Sequence, residues 1–240
     1  MSTLVLIPAY NEEDNILNTC ADLEQHCPDM DMLVINDCSR DRTLQLLEDH
    51  RINHLNLTVN LGIGGAVQAG YQYARDHGYE IAIQFDGDGQ HEAEYLHALI
   101  QPILDGEADI AIGSRFIERE GFQSSRTRRM GINLLSRLIN LLSGVQVNDV
   151  TSGMRAVNRW FIEEYAKHYA QDYPEPEALL YAGLCGARIR EVAVQMRERQ
   201  NGTSSISTMK SAYYMIKVSL SLILERISAN REKTGRRVRK

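Results

Sequence analysis

The chain has 240 residues, 43% of them hydrophobic and 24% charged, which is typical of one folded globular domain, with or without an appendage. A formal net charge of −6 argues against a nucleic-acid-binding protein that depends on overall positive charge. The charge is unevenly spread, because residues 226–240 carry seven Lys or Arg against one Glu, a net +6 that leaves −12 on the preceding residues.

The cysteines and the first residues predict a cytoplasmic protein. The four cysteines form no CxxC pair and have no metal-ligand spacing, so we expect reduced thiols in a reducing compartment. The chain enters a strand-like run soon after Met1, without the basic segment and cleavage site of a signal peptide. No stretch reaches the ~20 apolar residues that a membrane-spanning helix needs.

Five short apolar runs in the first half predict β-strands that alternate with helices. The strands are expected at Thr3–Ile7, Met32–Ile35, His54–Val59, Ile81–Phe85 and Ala108–Ile112. This alternation predicts an α/β fold with a mostly parallel sheet, in which ligands bind at the carboxyl ends of the strands. The polar loops of this half all fall at those ends: Pro8–Glu12, Asn36–Asp37, Asn60–Gly65, Asp86–His91 and Gly113–Arg115.

The second half is less regular. Residues 118–129 are polar and basic without an apolar period, which predicts a mobile loop, whereas Met130–Leu142 has the apolar spacing of a helix. Residues 148–155 predict a turn-rich return, Ile189–Met196 a further strand, and Ser211 onward a helix with one apolar stripe.

The stretch Asp86–His91 has the strongest chemical character. Asp86, Asp88 and Gln90 follow a buried strand and could point three side-chain oxygens at one cation. Mg²⁺ and Mn²⁺ favour such ligands, and a diphosphate commonly completes their shell. The alternative is a solvated turn, since Asp and Gly are ordinary turn residues.

Seven short motifs follow one another between residue 3 and about residue 206. They are Ile7–Glu12, Ile35–Thr43, Asn60–Ala66, Asp86–His91, Gly113–Phe116, Asp149–Ala156 and Arg199–Ser205. In order and spacing they resemble the family 2 inverting glycosyltransferases, most closely the polyprenyl-phosphate branch that includes dolichyl-phosphate mannose synthases. The resemblance implies a glycosyltransferase A-type nucleotide-binding fold, with a mostly parallel central sheet and helices on both faces.

The resemblance also implies roles for individual residues. The donor nucleotide would be bound by Pro8, Tyr10, Glu12, Asp37, Gly62, Gly64, Asp86 and Gly87. A cation, Mg²⁺ or Mn²⁺, would be held by Asp86, Asp88 and Gln90. Three positions depart from the family pattern and affect the donor and phosphate contacts: Asn36 replaces an aspartate, Ile63 a lysine, and Ser205 a second lysine.

Catalysis requires stabilising the leaving diphosphate and holding a nucleophile behind the anomeric carbon. We expect catalytic roles for Asp88, Arg115, Asp149 and Arg199. Acceptor or phosphate contacts are expected from Arg129, Ser152, Arg155 and Ser204, since arginine grips phosphate in a bidentate way. Each of these arginines could instead be an ordinary surface charge.

The acceptor decides whether a catalytic base is needed. A sugar hydroxyl needs a carboxylate base, whereas a lipid monophosphate is already ionised near neutral pH, with a second pKa of about 6 in comparable phosphoesters. The candidate bases are Asp149, Glu175 and Glu177. Asp149 could equally cap a following element, and the two glutamates could lie in an exposed, rigid proline-rich turn.

Two apolar helical stripes beside basic residues, within 130–142 and 213–227, predict docking to a membrane surface. The same stripes could instead cover the sheet or join two copies in a homo-oligomer. We expect a catalytic domain, 1–210, an amphipathic helix with a basic tail, 211–240, and a peripheral location at the inner face of the membrane.

These observations predict a metal-dependent inverting transferase that moves a hexose from a nucleoside-diphosphate sugar to a polyprenyl phosphate or lipid-linked acceptor. One alternative is a transferase that extends a polysaccharide or another glycan. A sugar nucleotidyltransferase would need a glycine-rich basic loop after the first strand, where Pro8–Glu12 stands instead. A non-catalytic nucleotide-sugar sensor would not need the intact set of Asp86, Asp88 and Gln90.

Overall fold

The computed structural model of the protein describes residues 1–118, 126–197 and 208–238. This described part contains seven strands, which form one sheet. The strands are β1 (Thr3–Ala9), β2 (Asp31–Asn36), β3 (His54–Asn56), β4 (Ile81–Gln84), β5 (Ile110–Ser114), β6 (Arg155–Asn158) and β7 (Ile189–Ala193).

Helices connect most of these strands. They are α1 (Ile16–His26), α2 (Thr43–Asp49), α3 (Gly62–Asp76), α4 (Leu96–Leu104), α5 (Arg126–Ser143), α6 (Arg159–Lys167), α7 (Pro174–Leu184) and α8 (Thr208–Val238). A single 3₁₀ turn, Ala93–Tyr95, precedes α4.

The sheet has the strand order β3-β2-β1-β4-β6-β5-β7. All neighbouring pairs are parallel except those of β6, which runs antiparallel to both β4 and β5. The mostly parallel sheet predicted from the sequence is therefore confirmed. The carboxyl ends of β1, β2, β4 and β5 meet at one edge, where the polar loops lie.

Both faces of the sheet are covered by helices. In β1, Leu4 and Leu6 point into one core, shared with α3, α5, α6, α7 and α8, whereas Val5 and Ile7 point into a second core, shared with α1, α2 and α4. This alternation explains the unbroken apolar run of the strand, because both faces are buried.

The antiparallel strand β6 and the helices α6 and α7 were not predicted. Part of β6 lies in the stretch expected to be a turn-rich return, and its buried Arg155 hides the apolar pattern of the strand. The expectation that Glu175 and Glu177 lie in an exposed proline-rich turn is wrong, because they occupy the first turn of α7 with Pro174 and Pro176 buried. Proline has no backbone N–H. It suits the first turn of a helix because the N–H groups of that turn have no acceptor within the helix.

The prediction of a mobile loop over residues 118–129 is wrong for its last residues, 126–129, which are helical. Residues 119–125 lie outside the described part, but α5 begins at Arg126. The guanidinium of Arg129 stacks on the ring of Phe116, with its Cζ 3.2 Å from the ring centroid. This contact ties the start of α5 to the segment that follows β5.

Helix α8 packs on α5 and α7 through Val218 and Leu222, which are fully buried. Other apolar residues of α8 remain exposed, among them Ile216 and Leu220. Among the described residues, no helix combines the length and the apolarity that crossing a membrane requires.

Candidate active site

Backbone and side-chain hydrogen bonds join the loops that follow β1 and β2. The amide of Asn11 donates to Ser39 Oγ at 3.0 Å, and the amide of Arg40 donates to Asn11 Oδ1 at 2.8 Å. The amide of Glu12 donates to Thr43 Oγ1 at 2.9 Å. Tyr10 stands partly exposed at this edge. The β1 loop and the β2 loop therefore form one rim.

Asp37 links the end of β2 to the start of α3. Its two carboxylate oxygens accept the amides of Leu61 and Gly62, at 2.7 and 2.8 Å, and the residue is buried. Charge-assisted bonds of this kind stabilise a helix N-terminus. Any contact of Asp37 with a nucleoside would therefore be made by a carboxylate already fixed in place by the protein.

The sequence predicted a separate glycine-rich loop ahead of the helix. In the structure, the glycines of this stretch are part of α3 itself. Gly62 has φ of +76°, which favours glycine. A Cβ on Gly64 would collide with the backbone of Ala170 and Gln171, so this glycine permits close packing against the segment between α6 and α7. Packing is thus sufficient to explain Gly64.

The acidic loop after β4 is shaped by its own side chains. Asp88 Oδ1 accepts the amide of Gln90 at 3.1 Å, and His91 Nδ1 accepts the amide of Asp86 at 3.3 Å. The imidazole of His91 is buried edge-on against Phe85, with ring centroids 5.3 Å apart. Burial lowers the pKa of His91 to about 4, so its ring is neutral near pH 7 and can accept that bond.

A buried ion pair lies beside this loop. The guanidinium of Arg115 donates from Nε to Asp149 Oδ2 and from Nη2 to Asp149 Oδ1, both at 2.7 Å. Asp149 is fully buried, and its amide donates to Glu191 Oε1 at 2.9 Å. Both oxygens of the Asp149 carboxylate are therefore engaged by the guanidinium of Arg115.

The other candidate bases lie at the start of α7. Burial raises the pKa of Glu175, the charge of Arg155 opposes this shift and the nearby Asp86 adds to it. Burial also raises the pKa of Glu177, whose carboxylate accepts the hydroxyl of Ser221 on α8. Of these two glutamates, Glu175 is therefore the one that lies near the acidic loop.

Arg155 and Ser152 are buried and bonded to the protein itself. The guanidinium of Arg155 donates to the carbonyls of Ser152, Glu175 and Val150, at 2.7, 2.6 and 3.0 Å. Ser152 Oγ accepts the amide of Met154 at 3.3 Å. These bonds give both residues a structural role, and the predicted contacts with an acceptor phosphate have no support in this geometry.

A sequence model of the family "Glycosyl transferase family 2" matches residues 4–166, which is more than half of the chain. The chain belongs to glycosyl transferase family 2. The resemblance inferred from the seven motifs is thereby confirmed, and the protein is a glycosyltransferase.

Related family members resemble the chain over most of its length. It is 31% identical to a polyprenol monophosphomannose synthase of Mycolicibacterium smegmatis, over 90% of this chain and 85% of that protein. It is 30% identical to an undecaprenyl-phosphate mannosyltransferase of Micrococcus luteus, over 86% of this chain and 88% of that protein. It is 28% identical to a UDP-N-acetylglucosamine–dolichyl-phosphate N-acetylglucosaminyltransferase of Methanococcus voltae, over 92% of this chain and 97% of that protein.

Solved structures confirm the glycosyltransferase A-type fold. Glucosyl-3-phosphoglycerate synthase of Mycobacterium tuberculosis, crystallised with Mn²⁺ and uridine-diphosphate-glucose, superposes with a TM-score of 0.71. The match covers 94% of this chain and 78% of that one, at 18% sequence identity. At this level of identity the likeness concerns the fold.

The acidic loop of this glycosyltransferase has donor atoms that suit Mg²⁺ or Mn²⁺. Asp86, Asp88 and Gln90 are partly exposed and offer hard oxygen ligands. Within the described residues, no three His, Cys, Asp or Glu side chains lie close enough to hold a metal alone. Mg²⁺ is usually bound by one or two carboxylates together with substrate phosphates, so the loop fits a cation that arrives with a nucleotide.

The structure brings most of the predicted site residues to one edge. Arg115 and Arg129 flank Phe116, with their Cζ atoms 5.2 and 3.2 Å from its ring centroid. Arg199 and Ser204 lie outside the described residues. Sequence reasoning missed Gly153, although it stands inside a recognised motif: a Cβ at this position would collide with the carboxylate of Asp86.

Proposed function

We propose that the protein transfers a hexose from a nucleoside-diphosphate sugar to a polyprenyl phosphate, with inversion and with the help of a divalent cation. The observation that carries this proposal is the likeness, over nearly the whole chain, to two relatives named for polyprenyl-phosphate mannosyl transfer. The position of Asp86 and Asp88 at the carboxyl end of β4, beside the buried Arg115, is consistent with it.

The donor would lie along the rim formed by the loops after β1, β2 and β4. In this proposal Pro8, Tyr10 and Glu12 border the nucleoside, and Asp37 keeps the first turn of α3 in place beside it. A cation held by Asp86, Asp88 and Gln90 would neutralise charge that develops on the leaving diphosphate.

Transfer would occur in one displacement. An oxygen of the acceptor phosphate forms a bond to the anomeric carbon as the bond from that carbon to the diphosphate breaks, and the electron pair leaves with the nucleoside diphosphate. A phosphate nucleophile is already anionic near pH 7, so no protein base is needed. This fits a site in which Asp149 is engaged by Arg115.

Charge on the two phosphate-bearing substrates would be balanced by arginines. Arg129 lies partly exposed at the start of α5, with its guanidinium on Phe116. Arg115 is buried next to that ring and bonded to Asp149. We assign Arg129 to direct phosphate contact, and Arg115 to fixing the β5 segment and supplying positive charge at short range.

Membrane docking would bring the enzyme to its acceptor. Large apolar side chains of α5 and α8 are exposed, with Met130 at 72%, Leu134 at 55% and Ile216 at 69%. The two helices pack against each other, so these side chains can form one apolar surface. The net +6 of residues 226–240 would favour an anionic lipid surface, with ~1 kcal/mol for each charge near it.

The test is a panel of nucleotide sugars, first by thermal shift with Mn²⁺ and then by transfer of a labelled sugar. We expect one nucleotide sugar to stabilise the protein and to label a short polyprenyl phosphate in detergent. The matched acceptor is the same polyprenol without its phosphate, which should remain unlabelled. Equal transfer to free sugars or oligosaccharides without any lipid phosphate would contradict the proposal and favour the glycan-extending alternative.

A further inference from the structure

The turn between Asp149 and Arg155 is rigidly held against the sheet. At its start, the carboxylate of Asp149 is bound by Arg115. At its end, the guanidinium of Arg155 donates to carbonyls inside the turn and to the carbonyl of Glu175 on α7. Arg155 is 3% exposed, so breaking these bonds would leave a buried charge without acceptors.

The pairing of β4 with β6 places this turn beside the acidic loop. In the antiparallel register, Gln84 pairs with Arg155. Continuing that register by two residues on each strand brings Asp86 opposite Gly153. Asp86 and Gly153 each lie two residues beyond the paired strands, so the pairing of β4 with β6 brings their two loops together.

Gly153 touches the carboxylate of Asp86 directly. A Cβ built on Gly153 would lie 2.7 Å from both Cγ and Oδ1 of Asp86, and closer still to Oδ2. Real Cβ atoms essentially never come within 3.0 Å of another heavy atom in this way. Gly153 is not one of the glycines with positive φ, so space, and not backbone conformation, demands glycine here.

We propose that Gly153 is a positioning residue for the cation, because the bare backbone of its turn forms the surface on which the Asp86 carboxylate rests. The inference depends on the metal site in the proposed function. The turn is fixed by Arg155 and by the Arg115–Asp149 pair, so it cannot retreat from an added methyl group. Asp86 would have to move, while Asp88 would remain where the loop holds it.

The displacement predicts a large loss of metal affinity. Metal ligands must be held within about 0.5 Å of their productive geometry. Loss of a group that orients a ligand typically weakens metal binding by about 10-fold to 100-fold. We expect Gly153→Ala to raise the dissociation constant for Mn²⁺ by a factor in that range.

The experiment measures Mn²⁺ binding to the full chain by electron paramagnetic resonance, with Mn²⁺ alone and with UDP or GDP added. Wild type is compared with Gly153→Ala and with Gly183→Ala. Gly183 is the matched control, because a Cβ there would also collide, with Val145 and with Ser143 Oγ at 2.8 Å, but far along α7 from the acidic loop. We expect weaker Mn²⁺ binding in Gly153→Ala only, while both variants lose thermal stability.

A second variant covers the case in which Gly153→Ala does not fold. Arg155→Lys keeps the positive charge and removes the planar guanidinium that bonds three carbonyls. We expect a several-fold higher Mn²⁺ dissociation constant with an unchanged KM for polyprenyl phosphate. The opposite result, unchanged Mn²⁺ binding with a raised KM for the acceptor, would overturn the inference and assign Arg155 to the acceptor.

Two further outcomes separate the inference from the function on which it rests. If wild type binds Mn²⁺ and Gly153→Ala binds it equally well, the positioning role is refuted and the metal site stands. If wild type binds no Mn²⁺, with or without a nucleotide, both the metal site and the role of Gly153 are refuted.

Discussion

At the scale of single residues, the acidic loop is built so that its carboxylates have different surroundings. Asp86 rests on Gly153, and its amide is bonded to a buried neutral imidazole. Asp88 shapes the turn by accepting the amide of Gln90. The two carboxylates are therefore expected to respond differently to substitution, with Asp86 dependent on its support and Asp88 dependent on its own loop.

We expect Asp88→Ala to lower kcat by at least about 100-fold, because a carboxylate that binds the cation supplies several kcal/mol of stabilisation to the leaving diphosphate. The protein should remain folded, since the carboxylate is partly exposed. Circular dichroism and a sugar-transfer assay check the two statements. Asp105→Ala, at the end of α4, is the control that removes a carboxylate from elsewhere. Wild-type kcat in Asp88→Ala would contradict the metal assignment.

The pair of Arg115 and Asp149 allows a structural role to be separated from that of a catalytic base. Asp149→Asn leaves the buried Arg115 without its counter-charge, which should lower the free energy of unfolding by about 3–5 kcal/mol. Urea denaturation measures this loss. A base would instead show a large drop in kcat at little cost in stability, and that result would disprove the assignment made here.

The motifs predicted which residue types stand at the site, but not how each side chain is used. Asp149 and Arg115 were both expected to be catalytic, whereas the structure bonds them to each other. Arg155 has the charge of a phosphate ligand, yet its donors point at carbonyls. Such distinctions depend on contacts between residues that are distant in the chain, and these leave no local pattern.

At the scale of elements, two carboxylates lie together where α7 meets α8. Glu225 on α8 and Glu177 on α7 line a cavity of about 220 Å³, together with His168 and Tyr181. Burial, followed by the charge of Glu177, raises the pKa of Glu225 from 4.5 to about 7. Ser221 donates its hydroxyl to Glu177 in the same interface.

We expect the docking of α8 to strengthen as the pH falls. The docked form binds the Glu225 proton more tightly than the undocked form, so this stabilisation is fully present below pH 4.5 and is lost as the pH rises through about 7. Between pH 8 and pH 6 the docking equilibrium should change by about tenfold. Hydrogen exchange of α8 amides, corrected for intrinsic rates, measures it. Glu225→Gln should remove most of the dependence, and an unchanged pH profile in that variant would rule out Glu225 as its source.

Elements with a clear apolar pattern in the sequence were predicted, and elements without one were missed. Strands β1, β2, β4 and β5 have apolar runs buried on both faces, whereas β3 is short and only partly buried. All five were predicted. Strand β6 has only four residues and begins with a buried arginine, so neither periodicity nor hydrophobicity indicates it. Helix α7 has two prolines in its first turn. In the sequence, this proline-rich pattern predicts a turn and conceals the start of the helix.

At the scale of the whole molecule, large apolar side chains are exposed on the side that α5 and α8 cover. Exposed apolar residues of α8 recur at helical spacing: Ile216, Leu220, Ile223, Leu224 and Ile227. Lys217 is exposed on the same helix. A helix with an apolar stripe and flanking cations can lie in the interface of a bilayer.

We expect Leu220→Asp to weaken binding to anionic liposomes at least tenfold, because it places a charge in the apolar stripe. Flotation with phosphatidylglycerol vesicles measures the binding. Leu104→Asp is the control, since Leu104 is also exposed but lies on α4, which covers the opposite face of the sheet. Equal loss in both variants would mean that the stripe on α8 is not the docking surface.

Removal of residues 227–240 should act mainly through charge. The deletion takes away six of the seven Lys or Arg of the tail, so liposome binding should fall at low salt and differ less from wild type at high salt. Sedimentation with the same vesicles at two salt concentrations tests this. A loss of binding that is independent of salt would indicate that the tail contributes apolar contacts instead.

The antiparallel strand β6 also has a consequence for how the protein is made. Strands β1 to β4 find neighbours among themselves in the sheet, but the second neighbour of β4 is β6, which is synthesised more than seventy residues later. Among the described residues, the partners of β5 are β6 and β7, which also follow it in the chain. During this interval the growing chain presents β4 as an open sheet edge, which is prone to intermolecular pairing. Chaperone binding to nascent chains should therefore peak before residue 158 emerges.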